Sequence, residues 1–154
     1  MPRNRSIKKH KPIMLITESR TDASIVRSLI DTHDRKVYLV ESGTYQNIAS
    51  TLRTQYLNYG DTFCYIAVFD ADSSDSFVRR EKLNMVRFLS KAERYSENIG
   101  VFCFRNTIEA ELGIKLNNKS SKESLIEALK ERAEQMKQSA TIKEIQQFID
   151  ELKV

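Results

Sequence analysis

Four acidic residues, Glu18, Asp22, Asp70 and Asp72, are the side chains whose type and spacing point most directly to chemistry. Glu18 and Asp22 are separated by about one helical turn, so both carboxylates can face the same point. Asp70 and Asp72 form an Asp-x-Asp, which at the end of a strand directs both side chains to one side of the chain. Carboxylates gathered without a base beside each repel strongly. A hard dication with oxygen ligands relieves that repulsion. The spacing predicts a Mg²⁺ (or Mn²⁺) site with Glu18, Asp22, Asp70 and Asp72 as its ligands.

The elements that must position these residues are legible as short apolar runs separated by helical stretches. Ile13–Ile16, Val37–Val40, Phe63–Phe69 and Val101–Phe104 read as strands, and the third is an unbroken apolar run of the kind buried on both faces. Between them, Ile25, Val26, Leu29 and Ile30 make one helix face, as do Ile48, Leu52 and Tyr56. A charged helical segment over 77–95 carries Val78, Leu83, Val86, Phe88 and Leu89. The alternation predicts an α/β fold, a mainly parallel, Rossmann-like sheet of about four strands flanked by helices. Ligands of such sheets bind beyond the C-terminal strand ends. Glu18 follows the first strand, and Asp70 and Asp72 leave the third.

Beyond residue 118 the pattern changes. Ser120-Ser121-Lys122-Glu123 and Thr141-Ile142-Lys143-Glu144 each read as a capping box, opening two amphipathic helices. The expected organisation is a basic arm over 1–12, an α/β domain over 13–118, and a C-terminal helical extension over 119–154 packed on it.

Composition narrows the class. The chain has 154 residues, 40% hydrophobic and 30% charged, and no apolar run approaches the ~18 residues of a membrane helix. The N-terminus lacks the apolar core of a signal peptide. Cys64 and Cys103 sit in apolar runs as free thiols, in keeping with a cytoplasmic protein. The net charge is +4, and Arg3, Arg5, Lys8, Lys9 and Lys11 contribute five positive charges, leaving −1 for everything after Pro12. The basicity belongs to the arm, where Lys8, Lys9 and Lys11 are candidates to grip phosphates.

Four segments carry a family resemblance. Ile16-Thr17-Glu18-Ser19-Arg20-Thr21-Asp22 resembles the first motif of TOPRIM domains, a strand ending in Glu with Asp four residues on. Phe69-Asp70-Ala71-Asp72 resembles their Asp-x-Asp motif, and Ser42-Gly43 sits where many have a Gly after the second strand. Asn106-Thr107-Ile108-Glu109-Ala110-Glu111-Leu112 is similar to a segment of small OLD- and RloB-like TOPRIM proteins. The chain departs from the family in having Ser19 in place of the usual Gly, and Ser73-Ser74-Asp75 in place of a small turn.

The resemblance implies a TOPRIM-like fold and Mg²⁺-dependent phosphodiester hydrolysis of DNA or RNA. In that scheme Asp70 and Asp72 hold one ion and Glu18 and Asp22 a second, while Glu18 alternatively shuttles a proton. Catalysis would rest on Glu18, Asp70 and Asp72, with Asp75 and Glu109 as further ligands or supporting acids. Arg20, Arg79, Arg80 and Arg105 would offset phosphate charge. OLD-like relatives work with an ATPase. This chain has no Gly-x-x-x-x-Gly-Lys-Ser/Thr loop, so an ATPase would be a separate subunit. Homo-oligomerisation is open. Two alternatives stand beside the nuclease. Met14–Asp22 also resembles the opening of response-regulator receivers, with Asp70 as the phosphorylated residue and Thr107 as the hydroxyl after strand four. The other is a TOPRIM-like module that binds nucleic acid without cleaving it.

Overall fold

The computed structural model describes residues 10–92, 96–114 and 121–152, leaving aside the side chains of 121–126 and 128. Lys8 and Lys9 lie outside the described residues, as does Ser120 of the first C-terminal capping box.

Four strands, β1 (Ile13–Thr17), β2 (Val37–Glu41), β3 (Cys64–Asp70) and β4 (Ile99–Phe104), form one sheet in the order β2-β1-β3-β4. Every pairing is parallel, with Thr17 level with Glu41 and Val68, and Asp70 level with Phe104. The central strands β1 and β3 are buried on both faces, which is why they read as continuous apolar runs. Period-two alternation sends Ile13 and Leu15 to one face, and Met14 and Ile16 to the other.

On the first face lie α1 (Arg20–Leu29) and α6 (Ala140–Asp150), which bury Ile25, Val26, Leu29, Ile142, Ile145 and Ile149. On the second lie α2 (Tyr45–Tyr59) and α3 (Ser76–Ser90), burying Ile48, Leu52 and Val86. A one-turn α4 (Ile108–Leu112) follows β4, and α5 (Ser121–Met136) leads into α6. The C-terminal helices therefore share the hydrophobic core with the sheet, Met136 included. The α1–β2 loop is fastened to α6 as well: Asp31 N–H donates to Gln146 (2.7 Å), and His33 Nε2 stands 2.7 Å from Asp150 Oδ1.

Some boundaries differ from the sequence reading, each for a local reason. The last helix is capped by Ser139, whose Oγ accepts the Ile142 N–H, and not by Thr141, which is buried as the second residue of the helix. Helix α3 ends at Ser90, where Lys91 adopts a left-handed conformation at its C-cap, and the remainder of the expected segment, 93–95, lies outside the described residues. Strand β4 starts at Ile99 rather than Val101. Gly100 makes that possible: a Cβ there would lie 2.7 Å from the Phe102 ring and 3.0 Å from Phe148. Phe88 and Leu89, read as apolar content of α3, are exposed. Cys64 and Cys103 are free and buried.

Candidate functional site

The strand order reverses between β1 and β3, which places the topological switch point beyond Thr17 and Asp70. Glu18 follows β1 there, and its Oε1 accepts the Asp70 backbone N–H at 3.0 Å across the gap. Asp70, the last residue of β3, uses Oδ1 to accept the Ile108 N–H at 2.9 Å, which ties β3 to the start of α4. Asp22 lies in the first turn of α1, where Ser19 caps its N–H. Glu109 lies in the first turn of α4. Backbone bonds close the loops around them: Gly43 N–H to Glu18 O (3.1 Å), Ala71 N–H to Phe104 O (3.1 Å) and Asp72 N–H to Asn106 O (2.7 Å).

These carboxylates act on one another. Burial pushes Asp70 up to about 8, and repulsion from Asp22, Glu18 and Glu109 adds to it against the Ile108 hydrogen bond. Asp22 is raised to about 6, again chiefly by burial, then by Glu109 and Glu18. Burial also raises Glu18, opposed by the Asp70 N–H, with Asp72 and Glu109 repelling it further. Acids whose ionised forms are destabilised together at the C-terminal strand edge make this a candidate site.

Asp72 behaves differently from its sequence neighbour. Its φ of 56° is left-handed, and its side chain is exposed, so the Asp-x-Asp pair does not present two equivalent carboxylates. Asp72 Oδ2 lies 3.9 Å from Lys82 Nζ, which also donates to Ala71 O at 2.6 Å and sits 4.3 Å over the Tyr45 ring. Tyr45 in turn stacks on Phe69. Lys82 was not anticipated among the site residues. It follows Val78 by four, so helical spacing turns both toward the sheet.

The remaining candidates separate by position. Arg20 opens α1 and Arg105 follows β4, both exposed and both at the carboxylate edge. Arg80 is exposed on α3. Arg79 is engaged elsewhere, with Nε donating to Cys103 O at 2.8 Å and Nη2 standing 3.7 Å from Glu144 of α6. Asp75 caps α3, its Oδ1 accepting the Phe77 N–H at 2.8 Å. Thr107 caps α4 in the same way, accepting from Ala110. Lys11 precedes β1 at the opposite edge of the sheet, seven residues from Glu18, or ~20 Å at strand rise. A residue the sequence reading passed over, Glu111, accepts from Arg105 N–H (2.8 Å), Thr141 N–H (3.1 Å), Thr141 Oγ1 (2.8 Å) and the Ser139 hydroxyl. That cluster fastens α4 to the start of α6. No spacing rule links position 111 to 139 and 141.

The donor set at the switch point is all oxygen, which suits Mg²⁺ or Mn²⁺ rather than a soft metal. Asp70 and Glu18 each commit one oxygen to a backbone N–H and retain the other. Among the described residues, no three His, Cys, Asp or Glu side chains stand already arranged around one ion point, so binding would require side-chain rotation. No helix among the described residues is long and apolar enough to cross a membrane. No protein-family model matches the chain, and no curated protein or solved structure matches it.

Proposed function

We propose that this chain is a metal-dependent nuclease of TOPRIM type, or the nuclease subunit of a complex with a separate ATPase, hydrolysing phosphodiester bonds in DNA or RNA. The observation that carries the reading is the convergence of Glu18, Asp22, Asp70 and Glu109 at the switch point, with Asp70 raised to about 8 by burial and mutual repulsion. Such a cluster costs the fold stability in the absence of a cation, and a bound Mg²⁺ or Mn²⁺ removes that cost.

Asp70, Asp72, Glu18 and Asp22 would hold the metal, whose contribution is to polarise the phosphate and acidify a bound water. The chain's own groups do the rest. Glu18, held by the Asp70 N–H and made more basic by burial, is suited to take a proton from the attacking water. Lys82, anchored to Ala71 O, sets a fixed positive charge beside Asp72 to balance a phosphate oxygen. Arg20 and Arg105 stand at the rim, where a nucleic-acid backbone would pass.

Purified protein incubated with Mn²⁺ and labelled single- and double-stranded DNA and RNA tests the reading. Cleavage should fall at least ~100-fold in Asp70→Asn and Glu18→Gln while the fold survives. Cleavage that persists in both variants removes the mechanism, and binding without cleavage points to the non-catalytic module. The receiver alternative requires Thr107 to be free for a phosphoryl group, yet its hydroxyl caps α4. Labelling of Asp70 by acetyl phosphate would favour it nonetheless.

A further inference from the structure

The α1–β2 loop meets the end of α6 through a polar cluster that the carboxylate crevice does not use. His33 Nε2 stands 2.7 Å from Asp150 Oδ1, and His33 Nδ1 stands 3.7 Å from Asp31 Oδ2. A carboxylate therefore faces each ring nitrogen. Neutral imidazole carries one N–H and can donate to only one of them, whereas imidazolium donates on both sides. The arrangement suits the charged ring. All three side chains are exposed, so protons exchange with solvent freely.

The helix end supplies a second reason for a cation here. Asp150 is the last residue of α6, Glu151 follows it, and the last turn contains no base. A helix C-terminus carries partial negative charge, so acids there are unfavourable and a positive group is favoured. His33 is the group that the fold brings to this position, from 117 residues away. The Asp150 bond raises His33 above its ordinary value of 6.5 and Asp31 adds to it, while desolvation and Arg35 oppose them. The same contact lowers Asp150 in return.

The loop itself needs holding. His33 and Asp34 are consecutive left-handed residues, with φ of 52° and 67°, a conformation that costs a residue other than glycine. Gln146 supplies one fastening: it accepts the Asp31 N–H (2.7 Å) and donates to Asp31 O (2.9 Å) and Asp150 Oδ1 (2.9 Å). That amide does not titrate. We infer that His33 is a pH-operated clasp between the α1–β2 loop and the C-terminal end of α6, closed by imidazolium on Asp31 and Asp150 and loosened when the ring loses its proton. Gln146 keeps the loop attached in both states. A group that holds its proton more tightly when folded contributes fully below 6.5, and its contribution is lost as pH rises through the higher folded value. The clasp precedes β2, at the sheet edge opposite the carboxylates, and is independent of the nuclease reading.

A proton NMR titration of the full chain, with His33→Gln assigning the ring signal, reads the clasp directly. His33 should titrate above 6.5. Asp150→Asn, which keeps an acceptor for Gln146, should lower the proton affinity of His33 by ~3-fold, the scale of an exposed ion pair. Amide exchange, corrected for its intrinsic pH dependence, tests the mechanical consequence. Between pH 6 and pH 8.5, protection over 31–35 should fall ~3-fold further in the wild type than in His33→Gln. A His33 midpoint at or below 6.5 overturns the inference. So does a midpoint indifferent to Asp150→Asn, or an equal loss of protection in His33→Gln.

Discussion

At the scale of single residues, Asp70 governs the account. Its position at the end of the clearest strand is readable from sequence, because Phe63–Phe69 is an unbroken apolar run of strand length. Its partners were not readable. The Ile108 N–H that holds Oδ1 and the Glu18 oxygen that accepts its own N–H come from 38 and 52 residues away. Asp72 shows the opposite failure, since period-two geometry cannot anticipate a left-handed φ. The raised pKa of Asp70 has a definite consequence for the metal-free protein. The unfolded carboxyl ionises near its ordinary value of 3.8, while the folded one keeps its proton to about 8. The unfolded state thus binds fewer protons in between, and stability must fall as pH rises from 4 through 8. Thermal melts in EDTA should show that decline. Asp70→Asn should flatten it and raise the midpoint at pH 8 by several degrees, at about 2–4 °C per kcal/mol for a chain of this size. A variant that melts lower at pH 8, with the same pH dependence, would mean that the carboxylate is not strained.

At the scale of elements, the sheet and its helices followed from hydrophobic period and capping, whereas the long-range fastenings did not. The final helix illustrates this. Its apolar face of Ile142, Ile145 and Ile149 was evident, but Thr141 looked like a cap and is instead a buried anchor on Glu111. A capping box is a local signal, and the Glu111 carboxylate, 28 and 30 residues upstream of Ser139 and Thr141, competes for the same hydroxyls. Glu111 serves four donors from α6 and the β4–α4 turn, and removing an acceptor so that buried donors are left unsatisfied costs about 1–3 kcal/mol, more for a charged group. Glu111→Ala should destabilise the protein by ~2–4 kcal/mol in urea unfolding and increase amide exchange over 139–143. Glu111→Gln, which retains acceptor capacity on one oxygen, should cost less. Equal costs for the two would indicate that packing rather than hydrogen bonding fixes this junction.

At the scale of the whole molecule, the parallel sheet separates two poles. The acids gather beyond the C-terminal strand ends, while Lys11 lies before β1 at the other edge. Composition alone gave the charge split between arm and domain, but only the strand directions show that Lys11 and the carboxylate crevice are on opposite sides. The same parallelism explains why four separate acids in the sequence become one cluster: every strand delivers its C-terminal residue to the same edge. The central claim is that the cluster holds a cation. Mn²⁺ titrated into the apo protein at pH 8, followed by electron paramagnetic resonance of free Mn²⁺, measures this directly. The account predicts saturable uptake by the wild type, lost in Asp70→Asn and suppressed at pH 5, where Asp70 and Asp22 carry protons. Mn²⁺ that stays free over the wild type, or is bound equally well by Asp70→Asn, would contradict it.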